Sequence, residues 1–362
     1  MYRNPAAASW VYDGPKLNPE VEPFHRSLPD YAVTPLISLP NLAKQLGIGY
    51  ILLKDESSRL GLPAFKILGA SWAVYKAVAA HCSLPLTSSL KKVGVAAKEM
   101  GIRLVTCTEG NWGRAVSRMA KYLDITAVIF VPDFMDQATK GKIEREGAKV
   151  VVVNGDYDIS IKAAREEADK GGLLVMDVSW EGYETIPKWV VEGYLTMLTE
   201  TDKQLYNMSF RGATHAIASV GVGSWAQAVT MHYKSKSPSA TVITVEPDAA
   251  ASLKTSLEAG EIVPISTGHT IMNGMNCGTV STTAWKTLKQ GVDASVTVSD
   301  LDVHHDLQYL HSQNVKVGPC GAATLTALKL LCRDKKQELE LNDQSVIVLF
   351  STEGARDYVT PT

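Results

Sequence analysis

The 362-residue chain has no excess of positive charge: 36 Lys and Arg stand against 38 Asp and Glu, and its pI is near 6.5. Without a basic field there is little to hold a phosphate backbone, so nucleic acid is not an expected partner. Its five cysteines, at 82, 107, 277, 320 and 332, form no CxxC pair. An odd and scattered set argues against a disulfide scaffold and against a zinc site, and no metal is expected. The eight histidines show no metal-ligand spacing, and HExxH, GxSxG and Walker-type lysine loops are missing. The longest apolar runs, such as Thr126–Pro132, are strand-length, far short of the roughly 20 residues of a membrane span. The first twenty residues hold no apolar stretch of the secretory kind. The expectation is a cytoplasmic protein with no membrane partner.

What is present suits a buried core: 45% of residues are hydrophobic and 20% charged. The length suggests two domains or one large α/β unit. Short apolar runs alternate with amphipathic stretches. Arg103–Thr108 reads as a strand and Asn111–Asp124 as a helix, whose Trp112, Ala115, Val116, Met119, Ala120 and Leu123 share one face. Strand Thr126–Pro132, helix Gln137–Glu146, strand Lys149–Val153, helix Ile159–Lys170 and strand Leu173–Val178 continue the rhythm. A second series runs from strand Thr214–Val220 through helix Ser224–His232, strand Thr241–Glu246, helix Ala249–Ala259, strand Ser295–Ser299 and helix Ala322–Lys336 to strand Ser345–Phe350. A helix from Pro187 to about Thr201 bridges the two series. Short-looped strand–helix alternation implies parallel sheets flanked by helices, an α/β fold.

Three segments carry candidate chemistry. Lys66 stands in the apolar, small-residue setting of Ala64, Phe65, Ile67, Leu68, Gly69 and Ala70. Desolvation lowers an amine's pKa and makes it a nucleophile toward carbonyls. Taken singly, Lys66 is equally readable as a helix lysine whose stem packs on an apolar stripe. Thr106–Gly113 joins a strand to a helix, with Asn111 as a cap and two glycines in the turn. Val220–Trp225 (VGVGSW) does the same and offers a helix N-terminus as a phosphate cradle. This loop also fits G-x-G-x-x-A, and Glu246 ends the next strand, so spacing leaves a dinucleotide site open. His304 and His305, with Asp302 and Asp306, read as a solvated helix face.

Taken in order, these segments are more specific than any one of them. Phe-Lys, a Gly-Asn loop, a GxGS loop and a late Ser/Thr together resemble the fold-type II pyridoxal 5′-phosphate (PLP) enzymes, the tryptophan synthase β-like superfamily. Within it the chain looks most like the diaminopropionate ammonia-lyases. The resembling segments are 24–36, 54–70, 109–116, 221–226, 245–247, 272–278 and 349–357, which span nearly the whole chain.

The resemblance implies that Lys66 is the Schiff-base lysine and a base toward Cα. It implies that Asn111 binds the cofactor's 3′-oxygen and that Gly221, Val222, Gly223 and Ser224 bind its phosphate. Thr352, or its neighbour Ser351, faces the pyridine nitrogen. A hydroxyl there leaves the ring a weaker electron sink than an Asp would, which favours elimination over aminotransfer. Glu109 is the candidate second catalytic base.

The family loop typically reads Asp-Gly-Asn-His-Gly, whereas this chain reads Glu109-Gly110-Asn111-Trp112-Gly113. Glu reaches about 1.5 Å further than Asp, and Trp removes a titratable ring. The implied reaction is α,β-elimination from 2,3-diaminopropionate or a similar small β-substituted amino acid, giving pyruvate and ammonia. The same fold also supports β-replacement, serine/threonine dehydration and racemisation. The expected architecture is a discontinuous large cofactor domain (1–84 and 201–362) and a small domain (85–200) with the asparagine loop, in a homodimer.

Overall fold

Runs of β-branched residues form the strands, and in the computed structural model they collect in two sheets. The structure describes residues 1–15, 18–108, 110–133, 135–155 and 157–362, with backbone alone for Tyr157 and Asp158. The chain divides into two units by internal contact. The first comprises Met1–Pro19, Pro29–Phe65 and Tyr194–Thr362. Its seven-stranded sheet has the spatial order Tyr2–Arg3, Ala294–Val298, Thr241–Pro247, His215–Ser219, Val346–Ser351, Tyr50–Asp55, Leu36–Ser38. Both outermost strands run antiparallel to their neighbours, and the inner five are parallel. The inner strands are apolar on both faces because helices cover both. Ile217, Ile243, Val296, Ile347 and Leu349 share one core with Leu325, Leu328 and Leu331 of the helix Pro319–Asp334.

The second unit comprises Glu20–Leu28 and Lys66–Gly193. Its parallel sheet has the order Lys149–Val153, Thr126–Pro132, Arg103–Cys107, Leu173–Leu174. The division therefore falls after Phe65 and Gly193 rather than near 84 and 200. The physical reason is the helix Lys66–His81, which packs on the helices Asn111–Leu123 and Thr185–Gly193. The contact with the second is backbone to backbone: a Cβ on Gly193 would lie 2.4 Å from the Leu68 carbonyl oxygen.

Other elements differ from expectation in instructive ways. The bridging helix is two helices, Thr185–Gly193 and Leu195–Asn207, interrupted at Tyr194. The strand expected over 173–178 keeps regular pairing only at Leu173–Leu174. It is an edge strand, with a sheet neighbour on one side alone among the described residues. The helix Ser252–Ala259 starts later than expected, behind a 3₁₀ turn at Asp248–Ala250. The His304 region is not simply a solvated face. His304 Nδ1 lies 2.8 Å from the Tyr358 hydroxyl, and the buried Asp306 pairs with Lys329 at 2.5 Å.

The charges of the Lys54–Arg59 segment are structural. Arg59 is fully buried and contacts Glu56 at 2.7 Å, Glu200 at 2.7 Å and the Thr34 hydroxyl at 2.7 Å. Lys54 donates to Glu200 at 3.0 Å, the Thr34 carbonyl at 2.8 Å and Gln204 at 2.9 Å. Two cations meet two carboxylates with every head group bonded, the condition under which burial of charge is tolerated. Burial alone would raise the Glu200 pKa, but Arg59 and Lys54 outweigh it and hold the carboxyl at about 2.

A depressed folded-state pKa means stability is present above the ordinary carboxylate range and is lost as pH falls through it toward 2. Replacing Glu200 with Leu leaves two buried cations short of a partner. The expected cost is about 3–5 kcal/mol, read as a lower urea midpoint at neutral pH. An unchanged midpoint would remove this network from the stability of the first unit.

Candidate active site

In parallel sheets ligands gather outside the carboxyl ends of strands, where Gly221, Val222, Gly223, Ser224 and Thr352 lie in the first unit and Asn111 in the second. In the first unit, strands His215–Ser219 and Val346–Ser351 pair in parallel, with Leu349 beside Ile217. Both therefore leave the sheet at the same edge. The first feeds Gly221, Val222, Gly223 and Ser224, and the second feeds Ser351 and Thr352.

Gly223 has φ +98° and precedes the helix Ser224–Lys234 with no side-chain cap. The leading amides of a helix have no acceptor within it and offer partial positive charge to an anion. The Val222 carbonyl is held by the Ser281 amide at 2.8 Å, which fixes the loop. Gly221 lies against the chain at Gly274: a Cβ there would come within 2.7 Å of the Gly274 carbonyl oxygen. Ser351 is fully buried, and its hydroxyl has no hydrogen-bond partner among the described residues. Thr352, 4% exposed, accepts the Phe65 amide on its carbonyl at 3.2 Å. Phe65 precedes Lys66 directly in the chain.

In the second unit Lys66 is the first residue of its helix, with a side chain 23% exposed. Its Nζ donates to Asp177 Oδ2 at 2.5 Å, and the Asp177 side chain is 4% exposed. The Nζ also lies 5.9 Å from the centre of the Trp112 ring, within cation–π range. Thr108 shapes the asparagine loop: its hydroxyl accepts the amides of Gly110 at 2.9 Å and Gly113 at 3.0 Å. Asn111 starts the helix Asn111–Leu123. The predicted base Glu109 lies outside the described residues.

Two findings revise the sequence reading. Asp177 was not singled out; its signal was an acid inside an apolar run at a predicted strand's carboxyl end. Glu246, the acid of the dinucleotide pattern, is occupied elsewhere. Its carboxylate accepts the amides of Leu253 at 2.7 Å and Lys254 at 2.8 Å, capping the helix Ser252–Ala259. Burial pushes that carboxyl up to about 7 against the opposing pull of the two amides.

Residues 28–353 match the family of pyridoxal-phosphate dependent enzymes, and the chain belongs to that family, with the fold-type II architecture. Within it the similarity is to diaminopropionate ammonia-lyase. The Salmonella typhimurium enzyme of that name is 32% identical over 359 residues, covering 92% of this chain and 88% of its own. The Escherichia coli K12 enzyme is 31% identical over 349 residues, covering 92% and 87%. The crystal structure of the E. coli enzyme in complex with D-serine superposes with a TM-score of 0.87 at 28% identity, covering 98% of this chain and 93% of that one.

The protein is accordingly PLP-dependent. An amine, an uncapped helix start beside glycines and an open buried hydroxyl fit an aldehyde, a phosphate and a ring nitrogen in turn. Gly223→Ala sets a side chain at φ +98° with its Cβ 3.1 Å from that of Ala284. The expected result is about tenfold weaker PLP binding by fluorescence titration, with the fold retained by circular dichroism.

Proposed function

We propose that this protein is an ammonia-lyase acting by α,β-elimination on 2,3-diaminopropionate, with pyruvate and ammonia as products. The Lys66–Asp177 pair carries the reading: an amine and a carboxylate at 2.5 Å, beside the asparagine loop of their own unit. Kinship to two enzymes named for this activity, each about one-third identical, supports the substrate.

PLP, when bound, supplies a carbonyl for amines and an electron sink next to the substrate's Cα. Lys66 would hold it through Nζ, and Asn111 would orient it. Gly221, Val222, Gly223 and Ser224 would hold its phosphate at the start of their helix. Of the two candidate hydroxyls, Ser351 is the one with an open valence and would serve the ring nitrogen, while the Thr352 carbonyl fixes the main chain before Lys66. Lys66 Nζ would take the proton from the substrate's Cα. Asp177 stabilises the ammonium so formed and keeps it aimed, and that proton can then pass to the departing β-amine. Glu109 is the second base proposed for the opposite stereoisomer. The resemblance also carries a cytoplasmic homodimer, which sedimentation at two concentrations checks.

Serine dehydration is a second reading, favoured by the D-serine held in the related E. coli structure. Purified protein with added PLP is expected to absorb in the near-visible, and Lys66→Ala to lose that band. Diaminopropionate should yield both pyruvate and ammonia, faster than D- or L-serine does. A colourless wild type overturns the cofactor role of Lys66, and turnover of serine alone overturns the substrate. Asp177→Asn keeps shape but not charge, and kcat is expected to fall about 10²–10⁴-fold. Unchanged turnover would remove Asp177 from the proton path.

A further inference from the structure

Asp177 carries the charge opposite Lys66, yet regular strand pairing ends three residues before it, at Leu174. Leu173–Leu174 is also the edge of its sheet. The Val175 amide makes one more bond to the sheet, to the Val105 carbonyl at 2.9 Å. Beyond that, side chains replace the ladder.

Trp112 Nε1 donates to the Val175 carbonyl at 3.2 Å and to the Thr106 hydroxyl at 3.0 Å. On the outer edge, the Tyr183 hydroxyl donates to the Leu174 carbonyl at 2.9 Å and accepts the Met176 amide at 3.0 Å. A carbonyl at one residue and an amide two residues on point to the same side of a strand. One phenol thus does the work of an adjacent strand there. Tyr183 is itself held. Gly182, at φ +82°, turns the chain back between Trp180 and Tyr183, whose rings stack at 4.5 Å and 16°. The Arg165 guanidinium caps the Trp180 ring at 5.1 Å. Burial, with the Asp177 charge nearby, raises the Tyr183 hydroxyl's pKa, so it remains a proton donor.

We propose that Trp112 and Tyr183 are positioning residues: they stand in for missing backbone neighbours along residues 174–176 and so hold the Asp177 carboxylate against the Lys66 amine. This rests on the reading of Lys66 and Asp177 above. It also gives the departure from histidine at position 112 a role. A larger indole spans from the asparagine-loop helix to the Val175 carbonyl while laying its ring beside Nζ.

The test uses Tyr183→Phe, Trp112→Phe and Trp112→His, the last returning an N–H on a smaller ring. In cofactor-free protein, trinitrobenzenesulfonate modification of Lys66 is followed by peptide mass spectrometry. Loosening Asp177 is expected to free the amine and speed modification about threefold or more in both Phe variants, with Trp112→His nearer the parent. In the PLP-loaded enzyme kcat is expected to fall about ten- to a hundredfold while KM moves little. Variants that lower Tm but leave both Lys66 reactivity and the kcat/KM split unchanged overturn the proposal. So does an Asp177→Asn protein whose Lys66 reacts like the parent's. A Lys66→Ala protein that keeps the visible band would sink the cofactor assignment instead, leaving the modification rates to decide the positioning.

Discussion

A parallel strand can rejoin its sheet only by a crossover, so every loop leaving a carboxyl end opens on the same edge. That constraint organises both units. In the first it sets the Gly221–Ser224 loop beside Ser351, on strands locked side by side. In the second it sets the asparagine loop, after Arg103–Cys107, beside Asp177, after Leu173–Leu174. The chemistry-bearing residues are far apart in sequence, and all but Lys66, which opens a helix, follow or end a strand of their own unit. Strand direction collects the loop residues, and helix packing brings Lys66 to Asp177.

Buried charge serves two purposes here. Around Arg59 and Glu200 every head group is bonded and hidden, and the result is mechanical. At Lys66 the carboxylate is hidden while the amine keeps partial exposure. The first arrangement is closed to any ligand. The second leaves one member of the pair free to exchange partners, which a covalently held cofactor requires.

Much of this was readable in the sequence. The parallel α/β class followed from periodicity, because strand and helix periods differ, whereas cofactor roles for Lys66 and the Gly221–Ser224 loop came from the family resemblance, spacing alone leaving both open. Strands Thr126–Pro132 and Lys149–Val153 fall where the apolar runs place them. Three things were hidden. Spacing made Glu246 look like a ribose acid, but which group a carboxylate bonds is tertiary information. The unit boundary at Phe65 depends on which helices pack together, which no local pattern encodes. Asp177 was masked by its own strand, since a single acid in an apolar run has no period to disturb. The pairing there is only two residues long, and side chains of Trp112 and Tyr183 bond the main chain that follows.

The close packing at Gly193 bears on how such a chain can diverge. Its missing side chain lets two helices touch at the turn that follows Lys66. At 32% identity to the Salmonella enzyme, most positions have changed in one lineage or the other. Position 193 cannot drift in that independent way. A methyl group there collides with main chain, which no neighbouring rotamer can relieve, so the lysine's helix would have to shift with it. A side chain at that site therefore calls for a compensating shift of the helix that Lys66 opens.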